Sequence, residues 1–353
     1  MRCEVKALVD GVDEFIGIDH HKVRSQVLVK DREGKVLKRG RIATREEALD
    51  KFLGPSNGAV RMAVFEAGPR YRPMYRWLRE LVDEPVMANP GRLKIISETA
   101  YKDDKIDTEK LTDLLMLGMI PEAYACSDEA WDRRQFLRQR ASLVRMRTSL
   151  KNRIHALIDL NPEAKPQRPK ATDLFGKQGM RWLKRLELPR ADRKRLDQLL
   201  EIYEGLDGQI RKTDKEVRRM VRQDRRAQHL ATIPGIGGFF AALILAEVDD
   251  IHRFNKSKHF VSYTGLVPGR DQSGDREHRG RIHKCGSRWL RWALVEAAIP
   301  ATRANLALKN LYDRVCRKKG REAGPNVAKV AVARKLAEIV YRVLMEDRAY
   351  EAR

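Results

Sequence analysis

The sequence is short of cysteine, of long apolar runs and of acid, and each shortage excludes something. Its four cysteines, Cys3, Cys126, Cys285 and Cys316, stand singly in 353 residues. They form no CxxC pair and no zinc spacing, which argues against a disulfide framework and fits reduced thiols in the cytosol. No apolar stretch approaches the roughly 18 residues that a membrane span requires. The best candidate, "FFAALILAEV" at 239–248, is short and carries Glu247 near its end, which fits a buried helix. The opening "MRCEVKALVDGVDEF" contains acids and lacks the apolar centre of a secretory leader.

Acid is scarce relative to base. Seventy-two Lys and Arg face 49 Asp and Glu, for a formal charge of +23 and a pI near 10.0. A folded chain with that excess repels itself unless it meets a polyanion. Nucleic acid is the usual one, and binding should weaken with salt through counterion release. Charge alone does not separate an enzyme from a ribosome-associated or chromatin-like binder. The length exceeds one typical core, so more than one domain is expected.

Along the chain, "EFIGID" (14–19) reads as a buried strand ending on an acid, "VRSQVLVKD" (23–31) and "VLKRGRI" (36–42) as the next two strands of an antiparallel meander. "TREEALDKFL" (44–53) predicts a helix with a Thr44 cap and Glu47 three residues on. "VRMAVFEA" (60–67) is a fourth strand ending near Glu66. "RPMYRWLREL" is a helix, "PVMAN" a short strand and 103–120 another helix. The order β-β-β-α-β-α-β-α predicts a mixed sheet with helices on its faces. Residues 131–170 hold eleven Lys or Arg against three acids, and Phe136, Leu143, Leu150 and Leu157 recur every seven residues. After the proline-rich "NPEAKPQRPK", the positions Leu196, Leu199, Tyr203, Leu206, Ile210, Thr213, Val217 and Met220 form a heptad seam. An intramolecular hairpin and a dimerising coiled coil explain that seam equally well. From Leu230 onward the pattern is mostly helical. Three domains follow: 1–125 with the mixed sheet, 126–228 a helical arm, and 229–353.

Asp19 and Glu66 fall at predicted strand ends, and Asp104 and Asp107 share one helix face. Four such carboxylates can converge on hard cations, and two metals about 4 Å apart can clamp the attacking and leaving oxygens of a phosphodiester. Singly each acid is weak, since "KDDKIDTEK" also reads as a solvated helix start with acids at the positive end of the dipole. Asp103 competes with Asp104 for the shared face. "IPGIGG" (233–238), with Gly235, Gly237 and Gly238 before a helix, suits a phosphate on exposed N–H groups. It resembles a helix-hairpin-helix element, and a plain interhelix turn is equally consistent.

The stretch "GRDQSGDREHRGRIHKCGSRWLR" (269–291) reads as a loop too polar for core packing. Arg276, Arg279, Arg281, Lys284, Arg288 and Arg291 surround Ser273 and Ser287. Guanidinium groups stabilise a phosphoryl transition state, and a serine nucleophile needs its proton removed. His278 and His283 qualify as bases by proximity alone, so the residues themselves favour both serines as phosphate hydrogen-bond donors.

"FIGIDHHK", the Glu66 strand, "KDDKID", the block "IPGIGGFFAALILAEVDDIHRFNKSKHFVSYTGLVP", "QSG", "KCGSRWLRWAL" and "VAVARKLAEIVY" resemble, in order and over nearly the whole chain, the DEDD transposases of the insertion-sequence 110 family. The resemblance implies a RuvC-like (ribonuclease-H-like) domain, a coiled-coil arm and a mostly helical C-terminal transposase domain. It implies DNA cleavage and rejoining with Mg²⁺ or Mn²⁺ on Asp19, Glu66, Asp104 and Asp107, and Ser273 as nucleophile in a phosphoserine-DNA intermediate, a serine recombinase in that sense. Lys102 fixes the register of the signature and favours Asp104 over Asp103. Asp103 stands where the family has threonine, Thr108 where it has alanine, and His20 where it has valine. Ser287 matches a position often occupied by asparagine, so no nucleophile is implied there. The implied partners are donor and target DNA, a structured bridge RNA and further copies of the chain as a dimer or tetramer, in the cytoplasm of a bacterium or archaeon. A metal-only junction resolvase and a noncatalytic domesticated transposase are the alternatives.

Overall fold

A computed structural model describes residues 9–97, 104–163, 173–273, 276–282 and 285–352, with backbone alone for 94–97, 104–106, 270–281 and 321. The chain divides into two compact units, Met1–Ala125 and Cys126–Arg353.

The first unit is built on five strands: β1 (Glu14–His20), β2 (Arg24–Lys30), β3 (Val36–Ala43), β4 (Arg61–Glu66) and β5 (Glu84–Ala88), in the spatial order β3-β2-β1-β4-β5. The three-strand meander is antiparallel, and β4 and β5 run parallel to β1. The meander-then-crossover pattern predicts this arrangement. Period-two alternation divides each strand between two faces. Ile16, Ile18, Ala63 and Phe65 pack with Leu49, Leu53, Met74 and Leu78 of α1 (Glu46–Leu53) and α2 (Tyr71–Leu81). Phe15, Met62, Val64 and Ala88 pack on the other face with Leu93 of α3 (Pro90–Ser97) and with Leu111 and Leu115 of α4 (Asp104–Met116). Each fully buried Ile, Leu or Phe contributes about 1.5–3 kcal/mol.

Two local expectations are corrected. Thr44 does not cap α1. Arg45 occupies the cap position without a side-chain bond, while the Thr44 hydroxyl donates to His21 O at 2.9 Å and pairs with Ser25 Oγ at 2.8 Å. Thr44 thereby ties the β1–β2 turn to the end of β3. Helix α3 follows β5 directly and was not anticipated, because "GRLKIIS" is too short for its periodicity to register.

The second unit is helical. α5 (Asp128–Asp159) and α7 (Arg190–Gln223) form an antiparallel pair, with α6 (Lys177–Arg185) between them in sequence. Three ion pairs link the two long helices: Arg133 to Asp224 at 3.2 Å, Arg140 to Asp214 at 2.9 Å and Arg147 to Asp207 at 2.6 Å. Their α5 members repeat every seven residues, so the heptad is carried by charge as well as by leucine. One end of the pair is apolar, with Ile154, Leu157 and Ile158 against Leu183, Leu196 and Leu200. At the other end Leu137, Ala141 and Val217 join the main core. Within the chain, α5 fills part of the seam: Leu196, Tyr203, Ile210 and Val217 are buried, whereas Leu199, Leu206, Thr213 and Met220 are half-buried.

The rest of the unit comprises α8 (Arg225–Ala231), α9 (Gly238–Val248), α10 (Ser257–Thr264), α11 (Arg288–Ala304) and α12 (Leu306–Met345), the last interrupted at Gly320 where φ is 77°. Helix α9 is buried from Ala241 to Val248 and packs with α11 and the second half of α12. The stretch expected as a loop is a two-stranded antiparallel ribbon, β6 (Pro268–Ser273) and β7 (Arg276–Ile282). Among the described residues, no helix is long and apolar enough to cross a membrane.

Candidate active site

The carboxylates stand on three elements of the first unit. Ile18 of β1 is level with Phe65 of the parallel strand β4. Asp19 and Glu66, each the next residue, therefore stand at the same height, Asp19 one residue before the end of β1 and Glu66 at the end of β4. They share the parity of Phe15 and of Met62 and Val64, the strand residues that pack toward α4. Glu66 is exposed; the Asp19 side chain is 21% exposed, with His21 Nε2 3.2 Å from its Oδ2. The loops beyond the two strands are joined by contact of His20 Nε2 with Arg70 O at 3.3 Å and by donation from Arg70 Nη1 to Lys22 O at 3.2 Å.

Helix α4 is laid on β1 at Gly17. A Cβ there would lie 2.0 Å from Thr112 Oγ1 and 2.8 Å from Thr108 O, so only glycine fits. The helix runs opposite to β1. Asp113 meets Lys30, which is level with Phe15, while Glu109 lies farther from Lys30, at 3.8 Å, and meets Arg39 at 2.7 Å, two strands out at the level of Gly17. Going back along α4 thus leads toward the end of β1 that carries Asp19. Residue 104 stands one turn before Thr108, and Asp107 in that first turn is exposed. The side chain of Asp104 and the whole of Asp103 lie outside the described residues. Among the described residues, no group of three Asp, Glu, His or Cys side chains is gathered closely enough to hold a metal ion. The donors at the strand ends are oxygens, the set that suits hard divalent cations.

Ser273 is the last residue of β6 and is opposite Arg276; Asp271 is opposite His278 and Arg270 opposite Arg279. Arg281 also stands on β7, whereas Gly274, His283 and Lys284 lie outside the described residues. A charged ribbon of this kind lacks the apolar alternation that marks a strand. The usable signal was the Gly-Asp dipeptide at 274–275, a two-residue connection of the kind that joins hairpin strands.

Ser287 has a different setting. It caps α11, its Oγ accepting from Leu290 N at 3.2 Å and donating to Glu247 Oε2 at 3.1 Å. Glu247 is 2% exposed and also binds Arg138 through Nε at 2.8 Å and Nη2 at 2.7 Å. Just before it, Gly286 has φ of 111° and a Cβ there would lie 2.2 Å from Tyr263 O, which accepts from Ser287 N at 2.9 Å. This network was missed because its partners are far apart in sequence.

In "IPGIGG", Ile233 and Ile236 are buried, and Gly235 has φ of 83° with Ala297 O only 2.3 Å from where a Cβ would be. Close approach to α11 thus accounts for Gly235. Gly237 caps α9 and is exposed, Gly238 opens that helix, and Arg288 is an exposed first residue of α11.

Comparison with known proteins accords with this geometry. Residues 16–161, which span all four acids, match a DEDD transposase model of IS110 elements, and residues 227–313, which span "IPGIGG" and both serines, match the model described as "Transposase IS116/IS110/IS902 family". A "Probable family 20 transposase" of Pseudomonas aeruginosa is 27% identical over 337 residues, covering 95% of this chain and 98% of the relative. The transposase for insertion sequence element IS1111A of Coxiella burnetii is 26% identical, covering 96% of this chain and 91% of the relative. The pilin gene-inverting protein of Moraxella bovis is 32% identical over 131 residues, 37% of this chain and 40% of the relative. The DEDD description classes such enzymes by their carboxylates, so the class name serine recombinase is not the right one here. Two models that together span more than half of the chain, and relatives aligned nearly end to end, place the protein in the IS110 family of DEDD transposases.

Proposed function

We propose that this transposase breaks and rejoins DNA strands by a two-part chemistry, in which Asp19, Glu66, Asp104 and Asp107 hold divalent cations and the Ser273 hydroxyl is the nucleophile. The observation that carries the reading is the level placement of Asp19 and Glu66 on adjacent parallel strands, with the first turn of α4 directed to the same end. Strand ends of a five-stranded β3-β2-β1-β4-β5 sheet support a ribonuclease-H-like, RuvC-like assignment. Mg²⁺ held there would neutralise charge on a scissile phosphate.

The protein's own residues supply the rest. Ser273 Oγ attacks phosphorus, an Oγ–P bond forms and the bond from phosphorus to one deoxyribose oxygen breaks. The serine proton leaves as the nucleophile forms, and the departing oxygen ends as a hydroxyl. Attack by a DNA hydroxyl on the phosphoserine reverses these steps and frees the serine. The phosphodiester energy is kept in the covalent link, so rejoining needs no nucleotide cofactor. The position of Ser273 at the end of β6, opposite Arg276, supports this role, since arginine takes up developing charge at phosphorus. The net charge of +23 supports binding of donor and target DNA and of a structured guide RNA. A second copy of the chain is the further partner in this reading.

The test is a stalled reaction on labelled DNA. Wild-type protein should leave a protein–DNA band that survives denaturation, and peptide mapping should place the adduct at Ser273. Ser273→Ala should lose the band and recombination while binding DNA and RNA normally. Cutting by Ser273→Ala would assign hydrolysis to the carboxylates alone.

A further inference from the structure

Three guanidinium groups gather on one indole in the second unit. Arg138 and Arg145 of α5 and Arg288 of α11 lie 5.6, 5.1 and 5.6 Å from the ring centroid of Trp289. Arg145 also lies 5.5 Å from Trp292, and the two indoles meet edge to face at 5.7 Å. Among the described residues one carboxylate serves this cluster, the buried Glu247, and it is bound by Arg138 and Ser287.

Arg145 differs from its neighbours on α5. Arg133, Arg140 and Arg147 each meet an aspartate of α7 or its end. Arg145 and Arg288 are exposed, and the described residues give neither of them a carboxylate partner. Two like charges beside one ring repel each other. Aromatic faces offset part of that cost, and both exposed side chains stay accessible to a ligand. An anion between them would complete the arrangement.

We propose that Arg145 and Arg288, laid on Trp289 and Trp292, clamp a backbone phosphate of a nucleic-acid strand. The inference rests on the reading that this chain handles nucleic acid, and it adds a contact made by α5 that neither the "IPGIGG" turn nor the β6–β7 ribbon supplies. Arg138, neutralised by Glu247, is the fixed member that holds the ring. Ser287 N donates to Tyr263 O at 2.9 Å, shortly before β6 opens, so Arg288 stands nearer the Pro268–Ile282 end of the ribbon than the Ser273–Arg276 end. A clamp there would register the strand for that ribbon without reading bases.

The experiment is equilibrium binding of the full-length chain, without divalent cation, to a fluorescent DNA duplex and to a single-stranded RNA across a salt series. Arg145→Gln and Arg288→Gln should each weaken binding by roughly three- to tenfold, equally for unrelated sequences, and each should flatten the log–log salt slope by about one. The loss on DNA, on RNA or on both identifies the strand held. Arg219→Gln, an exposed arginine of α7, should change neither quantity. Unchanged affinity and slope on both nucleic acids in the Arg145→Gln/Arg288→Gln double variant would overturn the clamp, as would an equal loss in Arg219→Gln. The outcome is separable from the catalytic reading: a chain that forms no Ser273 adduct but loses binding through Arg145 would keep the clamp, and an active chain indifferent to both arginines would lose it.

Discussion

Ser273 and Ser287 belong to one basic stretch of sequence and have opposite surroundings. Ser287 is committed on every side: it caps α11, donates to a buried glutamate and follows a glycine wedged against Tyr263 O. Ser273 ends a strand of a charged ribbon that, among the described residues, has two strands. A hydroxyl with both of its hydrogen-bonding functions occupied inside a fold is a structural group. Ser273 is placed by its backbone alone, at the end of β6 opposite Arg276, and the availability of its hydroxyl is part of our proposal. The same residue type thus divides by context into a holding role and, in our proposal, a reacting one.

That division can be broken by experiment, beginning with the largest effect. Ser273→Ala should abolish the covalent adduct and lower recombination by at least about 10³-fold, as loss of a nucleophile does, with an unchanged melting temperature. Gly286→Ala should act in the reverse sense. It places a Cβ against a carbonyl at positive φ, and it should cost about 2–4 kcal/mol in denaturant unfolding through strain and overpacking. Ser287→Ala should cost about 1–3 kcal/mol, from the lost cap and the donor removed from Glu247, while the folded fraction keeps the ability to form adduct. If Ser287→Ala removed the adduct from a stably folded protein, the division would be wrong.

The smallest effect lies in the long helix pair. Burial would push the Asp207 carboxyl up, but hydrogen bonds from Arg147 and Arg211 outweigh it and hold the group below its ordinary 3.8. A depressed folded-state value stabilises fully above the unfolded value, about 3.8, and the gain is lost as pH falls through the lower folded value. Asp207→Asn should therefore lower the melting temperature at neutral pH, and the two curves should converge in acid. Parallel melting curves down to the lowest pH would remove Asp207 from the account.

Strands β1 and β4 were legible as short apolar runs, buried on both faces, and Asp19 and Glu66 were legible because each follows such a run. The sheet order followed from the meander and the short crossovers. The ribbon was not legible, since its arginine, glutamate and histidine residues leave no hydrophobic period. Thr44 misled because a Ser/Thr before Glu has the signature of a cap, while its hydroxyl finds tertiary partners at His21 and Ser25. The links of Glu247 to Arg138 and Ser287 join helices far apart in the chain, and no local window contains both ends. The heptads of α5 and α7 marked a seam without saying whose helix would fill it. The intrachain ion pairs of Arg133, Arg140 and Arg147 show that α5 lies against one side of it.

Gly17 shows where the tolerance of such a site resides. The acids of β1 and α4 belong to segments separated by most of the first unit, and the gap between those segments is the thickness of a backbone. Even a methyl group at residue 17 would meet Thr112 before it met anything yielding, and α4 would have to rise or slide to admit it. Asp19 would stay where it is while the first turn of α4 moved away. A substitution that alters no charge and touches no carboxylate would thereby change the width of the acidic end of the sheet, which makes the least reactive residue of β1 its gauge block.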